Sequence, residues 1–379
     1  METSTDDLWF EDWAGAEAIL GGAQAIDDLA FSTGAMFRRR GVRDGSQLLR
    51  LALSYAATDK SLRTTAAWSG DALGIELSDP SLIGRLSNAG DFLAALVNQL
   101  LSIAAPVGDP PAVWDGPPIR LIDGSMFTRP ANRGVGHRLH AAYDPVRGAF
   151  TFLDLTLATE GENLTRGDIE AGMIAVGDRN YARTWALREV AEKLAFFCVR
   201  SGVSSVRMLD PQTHQKLDAK AILALLGQQN SVELPIVLAE AKGVKKPPFH
   251  ARLIVMRATD AGKARELARI KRSITKEQAK PRADTYALAG VMMIITNLPQ
   301  EDWPVDRVHR LYRLRWQIEL AFKTLKSTFR MRKPPNKTPQ MARTWILANL
   351  AATLLADRLA TALQGGAPPS DSEEIDHRS

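Results

Sequence analysis

Five prolines fall between Pro106 and Pro118, in the runs Pro106-Val-Gly-Asp-Pro110-Pro111 and Gly116-Pro117-Pro118. No regular element survives such a stretch, because each proline removes a backbone donor and fixes its own φ. The segment divides the chain into two kinds of sequence. Before it, apolar residues recur at helical spacing (Leu48, Leu49, Leu51, Leu53; then Phe92, Leu93, Leu96, Val97, Leu100), with few runs that look like strands. A helical domain over residues 1–105 is expected. After it, Ile119 to Ile122, His137 to Tyr143 and Phe150 to Ala158 read as strands, with Asp144-Pro-Val-Arg-Gly148 as the turn joining the last two. A strand at Met173 to Val176 and a helix from Tyr181 to Lys193 complete an α/β pattern.

From 196 to 299 the pattern shifts to short β-like runs around a helix at Asp218 to Leu226. A basic helix from Gly262 to Ala279 and a strand from Val291 to Thr296 close that stretch. A long helix runs from Pro304 to about Thr328, then a basic loop from Arg330 to Lys337, then a final helix. The expected organisation is an α/β core made of 119–195 and 300–362, interrupted by a β-rich insertion at 196–299. A polar tail at 363–379 has the composition of a disordered segment.

Composition removes several function classes. Apolar residues make up 45% and charged residues 24% of the 379, which excludes global disorder. The lone cysteine, Cys198, excludes an internal disulfide and an all-cysteine zinc site, and it points to a reducing cytosol and a buried thiol. His137 and His140 are three apart in a strand-like run and so face opposite ways, which argues against a histidine metal site. The acidic N-terminus has no signal-peptide features. The longest apolar run, Trp345 to Ala356, is too short for a bilayer span of about 20 residues. A soluble intracellular protein is expected.

The chemistry concentrates on the helix after Pro304. Tyr312, Arg315, Glu319, Lys323 and Lys326 are separated by three or four residues and form one stripe, while Leu314, Ile318, Ala321, Phe322 and Leu325 supply an apolar side that also takes Trp316 as core packing. One acid among four polar or basic neighbours suits a metal-binding Glu319 with cations gripping a polyanion beside it. An ordinary i, i+4 salt-bridge ladder accounts for the same spacing. Two aspartates stand at strand ends, Asp123 after Ile119 to Ile122 and Asp178 after Met173 to Val176. Singly, each reads as a turn or capping residue. With Glu319 they make the donor set of a two-metal site, whose all-oxygen ligands select two Mg²⁺ or Mn²⁺ ions for in-line displacement at phosphorus.

These motifs resemble a known family. Tyr312-(2)-Arg315-(3)-Glu319-(6)-Lys326 is similar to the Tyr-Arg-Glu-Lys signature of one group of bacterial insertion-sequence DDE transposases. Leu-Ile-Asp123-Gly-Ser and Gly-Asp178-Arg-Asn-Tyr resemble that group's first and second acidic motifs, and the long gap before Glu319 fits a β-rich insertion. The resemblance implies an RNase H-like catalytic core with Asp123, Asp178 and Glu319 as the catalytic, metal-binding triad. It implies that Tyr312, Arg315 and Lys326 hold the transposon end, on a homodimer assembled on double-stranded DNA in the bacterial cytosol, nucleoid-associated when bound. Arg179 and Tyr181 also match the second motif, with capping and packing as equal alternatives. Glu162 resembles an acidic position of the family and is assigned nothing beyond a turn. Relatives use a base-stacking tryptophan in the insertion, whereas this chain has none between Trp185 and Trp303; Phe249 and Tyr286 are aromatic surfaces there, each with a core role as the alternative.

Basic charge falls in two strips. Residues 263–282 carry a balance of +6, including Arg269, Lys271 and Arg272, and residues 305–337 carry +8, including Lys323, against +5 for the whole chain. Phosphate contact is the functional reading and a solvated face the bland one. In the helical domain, Leu62 to Trp68 and Asp79 to Asn88 could form a helix-turn-helix that presents Arg85 and Asn88 to a groove, and Arg38-Arg-Arg40 with Arg43 could touch phosphates. The function expected is a transposase that binds terminal inverted repeats, cuts with the two-metal site and joins 3′-hydroxyl ends to target DNA. An RNase H-like nuclease or domesticated transposase that cuts without joining is the first alternative, and a non-catalytic DNA-binding regulator the second.

Overall fold

The computed structural model describes residues 13–57, 60–102, 114–127, 136–240, 243–244, 246–277, 283–328 and 338–365. The expected basic loop at 330–337, Lys280 and Arg282 of the first basic strip, and most of the Pro-rich segment and the tail lie outside them. The chain divides into two compact units, one of residues 1–109, 128–137 and 327–379, the other of residues 110–127 and 138–326.

The regular elements of the first unit are helices, α1 (Trp13–Ile19), α2 (Ala23–Ser32), α3 (Gly45–Ala57), α4 (Leu62–Leu73), α5 (Asp79–Asn88), α6 (Gly90–Ser102) and, from the other end of the chain, α13 (Pro339–Gly365). Local chemistry sets the ends of α4 and α5. The Ser61 side chain accepts from Thr64 N–H to cap α4, Gly74 ends it in a left-handed conformation (φ 62°), and the Ser78 side chain accepts from Ser81 N–H to cap α5. Leu48, Leu51, Leu82, Leu86, Phe92 and Val97 are fully buried in this unit, and so are Ile346 and Leu350 of α13. The Thr344 hydroxyl donates to the Leu86 carbonyl at 2.6 Å and Arg343 pairs with Asp91 at 2.7 Å, so the last helix is a member of the N-terminal bundle.

The second unit is built on one nine-stranded sheet, in the order β3-β2-β1-β4-β5-β9-β8-β7-β6. The strands are β1 (Ile119–Phe127), β2 (His137–Asp144), β3 (Ala149–Leu157), β4 (Ile174–Gly177), β5 (Phe196–Ser201), β6 (Arg207–Leu209), β7 (Ser231–Ala239), β8 (Phe249–Arg257) and β9 (Val291–Thr296). β1, β4 and β5 run parallel, with α7 (Thr184–Glu192) crossing from β4 to β5. β5 then pairs antiparallel with β9, and the antiparallel run continues through β8 and β7 to β6. The strands of 196–299 therefore extend the same sheet through β5, and one core of buried residues runs from Ile122 and Ala175 through Phe197 and Val199 to Leu253, Val255 and Ile295. Cys198 is fully buried on β5, and burial pushes its thiol well above the ordinary range.

The remaining helices of this unit are α8 (Ala219–Leu226), α9 (Asp260–Glu277), α10 (Ala283–Ala287), α11 (Val305–Arg313) and α12 (Trp316–Thr328). One expectation is corrected here. The stretch after Pro304 is two helices, because the backbone tightens at Leu314 and Arg315 into i→i−3 hydrogen bonds: Leu314 N–H to Leu311, Arg315 N–H to Tyr312 and Gln317 N–H to Leu314. Tyr312 lies in the last turn of α11, Arg315 sits in the break, and Glu319, Lys323 and Lys326 belong to α12.

Candidate active site

Sheet register brings the two aspartates together. β1 and β4 pair with Ile119 opposite Ile174 and, at the far end, Ile122 opposite Gly177. The next residue on each strand is an aspartate, Asp123 on β1 and Asp178 just past β4. In-register neighbours on parallel strands lie on the same face, about 4.8 Å apart between strands. Asp123 does not terminate its strand, as the sequence suggested, since β1 continues to Phe127; what ends at Ile122 is the pairing with β4.

Each aspartate is anchored by one oxygen. Asp123 Oδ1 accepts from Gly124 N–H at 2.8 Å, and Asp178 Oδ1 accepts from Asn180 N–H at 2.7 Å as the cap of a 3₁₀ turn, Arg179–Tyr181. Two glycines make the arrangement possible. A Cβ on Gly177 would lie 3.0 Å from Tyr181 Cβ and 3.1 Å from Leu164 Cδ2, and one on Gly124 would lie 2.7 Å from Glu162 Oε1. Glu162 is thus a fourth acid at this site. Its carboxylate accepts from Asn180 Nδ2 at 3.3 Å and faces Arg138 Nε at 3.6 Å. The sequence signal for it was the run Glu160-Gly-Glu-Asn-Leu164, whose Glu162 resembles an acidic position of the family; its place beside Gly124 comes only from the fold.

Glu319 joins through Arg315. One guanidinium nitrogen lies 2.5 Å from Glu319 Oε1 and another lies 3.7 Å from Asp123 Oδ2. Burial opposes the charge on Arg315, but Tyr312, the Glu319 hydrogen bond and the Glu319 and Asp123 charges outweigh it and hold its pKa above the ordinary value. Asp123 is pushed up to about 6, first by burial and then by Asp178 and Glu162, against the Gly124 hydrogen bond and Arg315. Burial likewise raises Tyr312 and Tyr181. Among the described residues no three Asp, Glu, His or Cys side chains lie together so as to hold a metal ion; Arg315 stands between Asp123 and Glu319.

The other expected site residues lie as follows. Lys326 Nζ donates to the Met126 carbonyl at 3.4 Å and lies 5.3 Å from the Phe127 ring, which ties α12 to β1, and burial lowers its pKa. Lys323 is exposed over the Trp316 ring at 5.0 Å. Trp316 itself is 52% exposed, which corrects its assignment to the core: Ile318 is fully buried, and two residues along a helix turn by about 200°. Arg269 pairs with Glu266 at 2.7 Å, while Lys271 and Arg272 are exposed on α9. Arg85 braces the Arg38–Arg40 loop by donating to the Arg40 carbonyl at 2.5 Å and the Arg38 carbonyl at 3.5 Å, and Arg39 pairs with Asp27 at 2.5 Å. Phe249 is core, packed against Phe197 and under Arg188, whereas Tyr286 is 45% exposed.

The transposase DDE domain matches residues 114–355, and the chain belongs to that family, whose members act on DNA and use divalent metals. More particularly, it is a transposase of the IS186/IS421 type. It is 34% identical over 353 residues to InsL of insertion sequence element IS186A from Escherichia coli strain K12, covering 92% of this chain and 93% of that one. The transposase for insertion sequence element IS421 of Escherichia coli is 34% identical over 354 residues with the same coverage. The transposase for IS231F of Bacillus thuringiensis subsp. israelensis is 42% identical over 89 residues, 22% of this chain and 18% of its own length. Among the described residues no helix is long and apolar enough to cross a membrane.

Proposed function

We propose that this chain binds the terminal inverted repeats of an insertion sequence as a homodimer on DNA, cleaves the DNA at its ends and joins the resulting 3′-hydroxyls to target DNA. The observation that carries this reading is the β1–β4 register, which sets Asp123 beside Asp178, together with the Arg315 link from Asp123 to Glu319. The strands β3-β2-β1-β4-β5 then read as an RNase H-like core, which moves the expected start of the insertion from 196 to beyond β5 because β5 pairs parallel with β4. The strands β6 to β9 read as the insertion, and the helical unit as the module that reads DNA. The Tyr-Arg-Glu-Lys spacing is what supports assigning the chain to the group that carries that signature.

The donor set fits divalent cations. It is all carboxylate oxygen and it gathers more negative charge than Arg315 and Arg138 offset; burial first, and then Asp178 and Glu162, keep the proton on Asp123 up to about pH 6. Asp123, Asp178 and Glu319 would hold two Mg²⁺ or Mn²⁺ ions, which when bound supply activation of a water or 3′-hydroxyl and stabilisation of the leaving oxygen. The protein's own groups position the substrate. Arg315, released from bridging two acids, is placed to take a phosphate oxygen in a bidentate grip, with Tyr312 beside it. Lys323 and Lys326 of α12, Arg269, Lys271 and Arg272 of α9, and Arg85 of α5 are assigned to DNA contact.

The test compares Glu319→Gln with the parent on DNA carrying the element's end. The variant is expected to retain end binding in a gel shift and to give no cut strand in Mg²⁺, and chelation is expected to stop cleavage by the parent. Cleavage by the variant at the parent rate would remove Glu319 from the site. Joining to a plasmid target separates a transposase from a nuclease, which leaves only nicks.

A further inference from the structure

The loop between α2 and α3 carries the run Phe37-Arg-Arg-Arg-Gly-Val-Arg43, with four arginines and no acid. Both of its ends are seated in the helical unit, where Met36 and Val42 are fully buried. Gly34 and Gly41 turn the chain on either side in left-handed conformations, φ 74° and 73°. A Cβ on Gly41 would lie 3.1 Å from Leu77 Cδ2, so the turn between α4 and α5 packs against the loop. Side chains fix the rest. Arg39 donates to both oxygens of the buried Asp27, at 2.5 and 3.4 Å, and to the Arg43 carbonyl at 2.7 Å, while Arg85 reaches across from α5 to the Arg38 and Arg40 carbonyls. A loop tied at so many points is a shaped surface.

It displays charge without counter-charge and a ring without cover. Among the described residues the exposed guanidiniums of Arg38, Arg40 and Arg43 have no partner. Asp27 neutralises Arg39, and Arg85 rests on carbonyls, which take no net charge. Asp44, which follows the loop, accepts from Gln47 N–H at the start of α3. The loop and the groups that touch it thus hold five cations against two acids. Phe37 is 76% exposed, with Cζ 3.3 Å from where a Cβ on Gly34 would lie, so the ring rests on backbone with its outer face open. One exposed apolar residue needs no explanation by itself. A phenyl ring held on a fixed loop beside unpaired arginines does, and the combination selects a partner. The core of a protein interface is poor in charge, whereas an apolar wedge flanked by arginines is how a side chain enters a minor groove and parts two stacked base pairs. A major-groove reading through α5 is weakened, because Arg85 is drawn onto the loop and the exposed positions of that helix include Ser81, Ile83, Gly84 and Asn88.

We infer that the loop at 34–43 enters the minor groove of the transposon-end duplex, with Phe37 wedged at one base step and Arg38 and Arg40 against the phosphates beside it. Arg85 holds the loop in place and adds its own charge. The inference rests on the DNA-transposing reading above and names the element of the helical unit, and the groove, through which the end is held.

The experiment uses the full chain, metal-free, titrated with a duplex of the element's end that carries 2-aminopurine at successive positions. The parent is expected to raise the fluorescence at one step, as unstacking does, and to exclude hydroxyl radicals from the minor groove there. Phe37→Ala is expected to bind roughly 10-fold more weakly, to leave the fluorescence unmoved and to keep the parent slope of log K against log [salt]. Arg38→Ala and Arg40→Ala are each expected to reduce that slope by about 1. All three side chains are exposed, so each variant is expected to melt like the parent. A Phe37→Ala protein that binds and unstacks the duplex as the parent does overturns the proposal, and so do arginine variants that keep the parent slope. Phe37→Ala that leaves DNA binding intact but sediments as a smaller species assigns the ring to a second copy of the chain and overturns it as well. A parent that binds no end duplex removes the transposase reading and this contact with it, whereas a parent that binds while the variants match it removes the contact alone.

Discussion

The aspartate pair and the glutamate reach the same site by different physics. Asp123 and Asp178 are placed by backbone: the ladder of β1 and β4 ends at Ile122 and Gly177, Asp123 is held by the N–H of the next strand residue, and Asp178 by an N–H of its own turn. Glu319 is placed by a side chain, the Arg315 guanidinium, from a helix that starts after a break in the chain. The aspartate side is the more buried, with the Asp123 side chain 20% exposed against 36% for Glu319. A site half built into the sheet and half hung on an ion pair should be rigid where charge is concentrated and movable where the third acid must meet its ions.

The largest expected effect ignores this difference. Asp123→Asn, Asp178→Asn and Glu319→Gln should each lower the cleavage rate by at least about 10³-fold, about 4 kcal/mol of barrier; single-turnover cleavage of an end duplex measures it. One substitution that cuts near the parent rate would break the assignment of that residue.

Stability separates the two halves. Gly177→Ala, which drives a methyl into Tyr181 and Leu164, should cost about 1–3 kcal/mol and be seen as a lower denaturation midpoint. Asp123→Asn should move the other way in metal-free protein. Folding raises this carboxyl from 3.8 to about 6, so between those values the folded state keeps a proton that the unfolded chain has released. Stability therefore falls as pH rises through the window, the cost is fully present above about pH 6, and it is absent below the unfolded value. The variant should gain about 1–3 kcal/mol at pH 7.5 and nothing near pH 3.5. Added Mg²⁺ should raise the parent melting temperature at pH 7.5 and leave that of Asp123→Asn nearly unmoved. Glu319→Gln gives the smallest effect, below about 1 kcal/mol without metal, because a partly exposed ion pair contributes little. A larger loss there would show that Arg315 and Glu319 hold the fold as well as the site.

How far the site was legible follows from the same contrast. Asp123 and Asp178 could be singled out because an apolar strand followed by Asp-Gly or Gly-Asp is a local pattern, and strand and turn preferences are local. Arg315 and Glu319 could be singled out by helical spacing, but that spacing was read along one continuous helix, and the break at Leu314–Arg315 has no Gly or Pro to announce it. Trp316 was misplaced because an apolar residue beside Ile318 looks like core until the orientation of the helix is known. Arg85 and Arg40 were invisible as partners, since 45 residues separate them.

Local chemistry alone, then, determined most of the strands and helices, the two aspartates with the glycines beside them, and the basic character of α9. Only the tertiary structure decided that β1 and β4 are neighbours in a register that aligns Asp123 with Asp178. It also decided that the sheet continues unbroken through β5 into β9, and that the last helix packs with the first ones. Pairing, register and packing are choices among distant segments with similar local propensities, and the free energy that selects one comes from burying all of them together.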